Sequence, residues 1–198
     1  MGRVLEERRE KIEEVLKVKT VALTLSNTDF VGIFCAMNEN GILLPKIITD
    51  LEREKFDELK KLFGMNVKVL DSNFTALGNL ILCNGHGALV SKLFTKREKK
   101  SIENCLGVEA CFSTAAGIQT VGSCGVVTGK GCLLHRDASE EEVKIAEEVL
   151  KVKADIGTAN FGSPFVGSCI IANSKGAIIG ESTTGPEIIR LQETLDLL

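Results

Sequence analysis

Four helix-capping boxes stand in register along this 198-residue chain: Thr49-Asp-Leu-Glu52, Thr95-Lys-Arg-Glu98, Ser139-Glu-Glu-Glu142 and Thr184-Gly-Pro-Glu187. Successive boxes are separated by 46, 44 and 45 residues. In such a box the Ser or Thr oxygen accepts from the third helical amide while the Glu side chain reaches back to the cap residue's own N–H, so each box marks a helix start. A period of this length means one supersecondary unit written repeatedly, which restricts the chain to radially or linearly repeated architectures.

A second pattern keeps the same register. An apolar residue followed by Gly recurs as Val31-Gly32, Leu77-Gly78, Val121-Gly122 and Val166-Gly167, and nine residues later comes Gly41, Gly87, Gly131 or Gly176. Asn38, Asn84, Thr128 or Asn173 stands three positions before that second glycine. The apolar runs 33–37, 80–83, 125–127 and 169–172 predict strands, and 42–44, 88–90, 132–134 and 177–179 predict their returning partners. The Asn-and-Gly turns between them tolerate positive φ, which is hairpin chemistry. A further apolar stretch precedes each apolar-Gly pair, at 20–25, 67–70, 109–112 and 154–156. Each unit is thus expected to be strand, hairpin, helix.

The helices following the boxes carry single apolar stripes: Phe56, Leu59, Leu62 and Phe63; Ile102, Cys105 and Leu106; Val143, Ala146, Val149 and Leu150; Ile188, Leu191 and Leu195. Lys and Glu fill the opposite faces, as on helices that coat a sheet. The ten-residue segments starting at Gly32, Gly78, Gly122 and Gly167 hold only Glu39, Lys130 and Lys175 as charges. Strands are therefore expected inside and helices on the wet exterior. With 44% apolar residues and no Pro-rich or Ser-rich linker, a single domain over residues 1–198 is expected. The Arg- and Glu-dense start, 1–14, is unlike a signal peptide, and no apolar run reaches membrane-spanning length, so a cytoplasmic protein without a membrane partner is expected.

Candidate chemistry is sparse. The seven cysteines include no C-x-x-C, and Cys35, Cys83, Cys124, Cys132 and Cys169 fall on expected strands, which favours buried thiols used as small apolar residues over a metal or redox centre. Gly129-Lys130 lacks the upstream Gly and the following Ser or Thr of a phosphate loop, and is expected at a hairpin tip. His86 occupies a tip position filled elsewhere by Asn40, Lys130 and Lys175, which reads as a solvated turn. His135, with Asp137 and a Cys nearby, is compatible with nucleophilic chemistry, but a surface position is the simpler expectation. No catalytic residue, metal or cofactor is expected. A net charge of -3 supplies no global basic field, and nine Phe without Trp or Tyr make a poor base-stacking platform, so DNA is not an expected partner.

Several stretches, in order and nearly spanning the chain, resemble the archaeal form of the translation initiation factor 6 family. They are Thr75-Ala-Leu-Gly-Asn-Leu80 with Cys83-Asn84, Thr120-Val-Gly-Ser123 with Gly131-Cys-Leu-Leu-His135, Gly157-Thr-Ala-Asn160, Ile170-Ile-Ala-Asn-Ser-Lys-Gly176 and Thr183-Thr-Gly-Pro-Glu187. The resemblance implies an α/β fold of the pentein propeller type, five quasi-identical units around an axis. It also implies a non-enzymatic ribosome anti-association factor. Such a factor binds the large ribosomal subunit beside the sarcin-ricin loop of its RNA and neighbouring ribosomal proteins, blocks joining of the small subunit, and takes part in large-subunit maturation. A monomer is expected.

In a radial repeat, equivalent positions gather on one face. The residues entering and leaving the first Gly of each unit therefore form the expected ribosome-binding face: Phe30, Ile33, Thr75, Leu77, Asn79, Thr120, Ser123, Pro164, Phe165 and Ser168. This mixture suits docking on protein more than neutralising phosphates. The competing expectation for Leu77 and the serines is that they line the axis and pack against one another.

Running the register backwards from Thr49 places a first cap at Arg3, with its partner at Glu6 and the stripe Leu5, Ile12, Val15 and Leu16. The chain thus reads as four complete repeats, 17–63, 64–106, 107–150 and 151–198, plus an N-terminal orphan helix, 1–16, of an incomplete first repeat. The resulting gap would be lined by unpaired strand edges. The alternative function is a guanidine-modifying pentein enzyme with a Cys nucleophile, which would require Cys, His and acidic groups converging on an axial pocket.

Overall fold

The computed structural model describes residues 1–197 as a mixed α/β protein of four small sheets and seven α-helices. A 3-10 turn over Arg3–Arg8 runs into α1, Arg9–Leu16. The first unit continues with α2 (Val31–Phe34), the hairpin β1 (Ala36–Met37) and β2 (Gly41–Leu44), and α3 (Asp50–Phe63). The second comprises β3 (Asn66–Val69), α4 (Leu77–Leu80), β4 (Ile81–Cys83), β5 (Gly87–Ser91) and α5 (Lys96–Leu106). The third comprises β6 (Glu109–Ser113), β7 (Gly125–Val127), β8 (Gly131–His135) and α6 (Glu140–Leu150). The fourth comprises β9 (Lys153–Gly157), a 3-10 turn over Val166–Ser168, β10 (Ile170–Asn173), β11 (Gly176–Ile179) and α7 (Gly185–Thr194).

Each hairpin is antiparallel, and each of the first three gains a third, parallel strand from the next unit after a helical crossover. The registers match: Gly41 lies opposite Asn66, Gly87 opposite Glu109 and Gly131 opposite Lys153. The β10–β11 sheet has two strands among the described residues. The four boxes all form as capping boxes. In the second, Thr95 Oγ1 accepts from Glu98 N at 3.2 Å while Thr95 N donates to Glu98 Oε2 at 2.7 Å.

Four core clusters run from unit to unit, each joining strands to a helix stripe. One gathers Leu43, Leu77, Leu80, Ile102 and Leu106; the next gathers Leu82, Leu89, Leu134, Ala146 and Leu150. The stripe of α3 departs from this plan, with Phe56 buried but Leu62 and Phe63 exposed. Among the described residues no hairpin flanks α3 as β5 flanks α6.

Three local expectations are corrected. The runs expected to be strands at 33–37 and 80–83 begin as the short helices α2 and α4, leaving β1 and β4 as two- and three-residue strands. The 20–25 stretch forms no strand; it carries a single bridge from Leu25 to Thr28, because no hairpin lies beside it. The hairpin turns also contain no positive φ. The left-handed residues sit elsewhere, at or just past helix ends (Lys17, Gly64, Gly107, Lys151 and Asp196) and in the loops at Ser26 and Asn27, Ala116 and Gly117, and Asn160 to Gly162.

The second glycine of each hairpin instead serves close approach. A Cβ at Gly41 would overlap the Cys105 carbonyl, at Gly87 that of Val149, at Gly131 that of Thr194 and at Gly176 that of Val15. Each hairpin therefore presses on the helix of the following unit, and for the fourth hairpin that helix is α1. The turn asparagines cap the same helices. Asn38 Nδ2 donates to the Leu106 carbonyl at 2.9 Å, Asn84 Nδ2 to Leu150 at 2.9 Å and Asn173 Nδ2 to Leu16 at 2.7 Å. These are the last carbonyls of α5, α6 and α1, groups that a helix leaves without an internal partner.

Candidate functional site: a docking face built from four equivalent turns

The first glycines bring the expected face together. A Cβ at Gly78 would overlap the Gly32 carbonyl, at Gly122 that of Gly78 and at Gly167 that of Gly122, so the four turns stand shoulder to shoulder. Gly122 N donates to Asn79 O at 2.9 Å and Gly167 N to Ser123 O at 3.0 Å, which fastens neighbouring turns through their backbones. Ile33, Asn79, Ser123 and Ser168 thereby occupy equivalent adjacent positions.

Their side chains do not all reach the surface. Phe30, at 63% exposure, Ile33 at 38% and Phe165 at 41% are solvent-facing apolar groups, and Ser168 is exposed. Thr75, Asn79, Thr120 and Pro164 are half-buried. Leu77 is fully buried in the core of the second unit, and Ser123 is buried with its Oγ donating to the Thr120 carbonyl at 2.9 Å. Those two side chains build the turn from beneath.

The residues behind the face explain how it is held. Three of the four capping glutamates, Glu52, Glu142 and Glu187, reach beyond their own helices to the left-handed loop that precedes a turn. Glu52 accepts from Ser26 N and Asn27 N, both at 3.0 Å. Glu142 accepts from Ala116 N at 2.9 Å, Gly117 N at 3.0 Å and Thr114 Oγ1 at 2.7 Å. Glu187 accepts from Gly162 N and Thr158 Oγ1, both at 2.8 Å. Burial by itself would raise the pKa of Glu142 and Glu187, but these donors outweigh it and hold both carboxyls at about 2.

Two residues are placed otherwise than the sequence led one to expect. Phe161 is 81% exposed with φ +64°, a backbone conformation that is rare for a bulky residue. Its only sequence signal is an aromatic at a turn position that is Ala116 in the third unit. His135, expected on the surface, is buried at the end of β8; its Nδ1 accepts from Asp137 N at 3.1 Å, and its ring meets Phe165 edge-on with centroids 5.5 Å apart. The β8 register forces it inward beneath the face, where it props Phe165. His86 is exposed, as expected for a hairpin tip.

Five of the seven cysteines are unsuited to nucleophilic work. Burial pushes the thiols of Cys83 and Cys132 up to about 12 and that of Cys35 to about 11, and raises Cys105 and Cys124 as well. A reactive thiol needs the opposite shift. Among the described residues there is no group of three or more His, Cys, Asp or Glu placed to hold a metal ion.

Four adjoining turns that present exposed Phe and Ile among hydroxyls and amides have the make-up of a protein-docking surface rather than of a catalytic pocket. The model of the eIF-6 family matches residues 2–194. The chain is 43% identical to translation initiation factor 6 of Pyrococcus abyssi (strain GE5 / Orsay) over 195 residues, 98% of this chain and 86% of that protein. It is 47% identical to translation initiation factor 6 of Saccharolobus islandicus (strain L.S.2.15 / Lassen #1) over 191 residues, 96% of this chain and 84% of the relative. The same-named protein of Methanococcus vannielii is 43% identical over 192 residues, with 96% and 84% covered. The chain belongs to the eIF-6 family. Its relatives are initiation factors, not enzymes, and the guanidine-modifying alternative is set aside.

Proposed function

We propose that the chain binds the large ribosomal subunit, prevents its premature association with the small subunit, and takes part in large-subunit biogenesis. Membership of the eIF-6 family is the observation that carries this reading. The chemistry of the face supports it. Exposed Phe30, Ile33 and Phe165 interleaved with Asn79, Thr120 and Ser168 offer apolar anchors and hydrogen-bonding groups rather than a phosphate-neutralising field, and the net charge is -3. Ribosomal proteins are accordingly the principal contact, with rRNA near the sarcin-ricin loop at the rim. The protein acts as a monomer in the cytoplasm.

In this reading the fold is a pentein-type ring in one domain, with repeats 17–63, 64–106, 107–150 and 151–198 and with residues 1–16 as the helix of a further unit. The contacts of Gly176 with Val15 and of Asn173 with Leu16 support it, because they repeat the contacts made between successive complete units. Thr75 and Pro164 flank the anchors, while Leu77 and Ser123 act from below.

Co-sedimentation with purified large and small subunits tests the function. The expected result is retention on the large subunit alone and loss of subunit joining. Retention on neither subunit would refute the proposal, and Asn79→Arg with Phe165→Arg leaving retention intact in a folded protein would refute the assignment of the face.

A further inference from the structure

Three of the loops that lead into the docking turns are closed by a short bridge: Leu25 with Thr28, Ala115 with Ile118, and Ala159 with Ser163. The last of these spans one residue more than the other two. In each loop the capping glutamate fixes two successive amides, those of Ser26 and Asn27, Ala116 and Gly117, and Phe161 and Gly162. Ser26, Ala116 and Phe161 are therefore equivalent, with φ of +52°, +55° and +64°. Two units place a small residue in this left-handed position, and the fourth places a phenylalanine.

That choice is costly, because a side chain at such a φ crowds the following carbonyl oxygen. The fold gains nothing from the ring in return. It is 81% exposed and, among the described residues, joins none of the core clusters. The loop is nevertheless held firmly. Glu187 accepts from Phe161 N at 3.3 Å and from Gly162 N at 2.8 Å, while Ser163 N donates to the Ala159 carbonyl at 2.8 Å. The extra residue, Asn160, adds ties to the segment before α7: its N donates to Thr183 Oγ1 at 3.1 Å and its Oδ1 accepts from Ser182 N at 3.2 Å. Strain of this kind persists only where its surroundings over-determine it, and it gathers at sites that bind.

We infer that Phe161 is a preorganised anchor of the docking contact, entering an apolar pocket on a protein of the large ribosomal subunit. This rests on the proposed binding to that subunit and adds a contact outside the set of equivalent turn positions. The loop runs directly into Pro164 and Phe165, so the ring extends the apolar groups of the fourth turn. Fixing it beforehand removes part of the ordering cost of association. A nucleotide base is the poorer match, since base stacking is accompanied by cations along the backbone. Arg190, the one cation of α7, is committed to Asp155 at 2.9 Å and to the Ile156 carbonyl at 3.3 Å, and Glu181, next to Ser182, is exposed.

Phe161→Gly tests the anchor, because glycine adopts this φ freely. The expected result is large-subunit retention weakened about tenfold or more, with Tm unchanged or raised. Unchanged retention would overturn the anchor. A fall in both retention and Tm would overturn it in favour of a structural role for the ring. Phe161→Leu, which keeps an apolar side chain, should be retained better than Phe161→Lys, and equal retention of the two would count against a pocket. A benzophenone analogue of Phe at position 161, irradiated on the subunit, should form an adduct that protease removes; an adduct removed by ribonuclease instead would overturn the protein partner. Absence of retention of the unaltered chain would refute the subunit reading itself, and the anchor with it.

Discussion

Replacing Asn84 by Ala should be among the most damaging single changes available to this chain, although Asn84 is polar and lies in a turn. Its Oδ1 accepts from His86 N at 2.9 Å and Gly87 N at 3.1 Å, which closes the hairpin; its Nδ2 donates to Thr128 O at 3.1 Å and Leu150 O at 2.9 Å, in the next unit. The residue is 6% exposed, so truncation admits little water to replace these bonds. The His86 amide is at an exposed tip and can be resolvated. The Gly87 amide and the two carbonyls are left unpaired in the interior. At roughly 1–1.3 kcal/mol for each of the three buried groups left unsatisfied, the loss is about 3–4 kcal/mol. For a chain of this size that corresponds to a fall in Tm of about 6–16 °C. Urea denaturation followed by circular dichroism measures it directly, with Asn173→Ala as the internal comparison. Asn173 is only partly buried and makes one bond to the next helix, at Leu16 O, so its loss should be about half as large. A decrease below about 1 kcal/mol for Asn84→Ala, or equal effects at the two positions, would refute the view that these asparagines join successive units.

The glycine stack predicts a polarity along the chain: Gly122→Val should destabilise by about 1–3 kcal/mol or more because the Gly78 carbonyl fills the space, whereas Gly32→Ala, with nothing within 4 Å of its Cβ, should be neutral in thermal denaturation. Glu142 and Glu187 have folded-state pKa values of about 2 against an ordinary 4.5, so the stability they supply is complete above about pH 4.5 and is lost as pH falls toward about 2. Glu142→Gln should flatten part of that acid limb in a series of denaturation curves, and an unchanged limb would count against the clamp. Phe30→Ser and Phe165→Ser should each reduce large-subunit retention by about tenfold or more with the fold intact, as expected for exposed aromatic anchors. His135→Ala should lower stability and weaken retention together, because it removes the edge contact beneath Phe165, worth about 0.5–1.5 kcal/mol.

The helix starts were legible because capping and apolar periodicity are local rules that read directly from residue order. Thr95 and Glu98 need only each other to mark the start of α5. The candidate face was legible to the extent that equivalence under the repeat predicts adjacency: Ile33, Asn79, Ser123 and Ser168 do stand side by side. Which of them face solvent was not legible. Leu77 and Val31 occupy the same repeat position, yet Leu77 is fully buried while Val31, with a neighbouring unit on one side only, is half-buried.

By itself, the sequence determined four hairpins, each followed by a capped helix. Only the tertiary structure decided that the second glycines and the turn asparagines serve the neighbouring unit rather than their own hairpin. It alone decided that the capping glutamates also clamp the loops behind the face, that His135 lies inside, and that α1 covers the last hairpin. The physical reason is common to all four. They depend on groups about 25 to 160 residues away in the chain, several of them in another unit, and no local propensity encodes where those groups will stand.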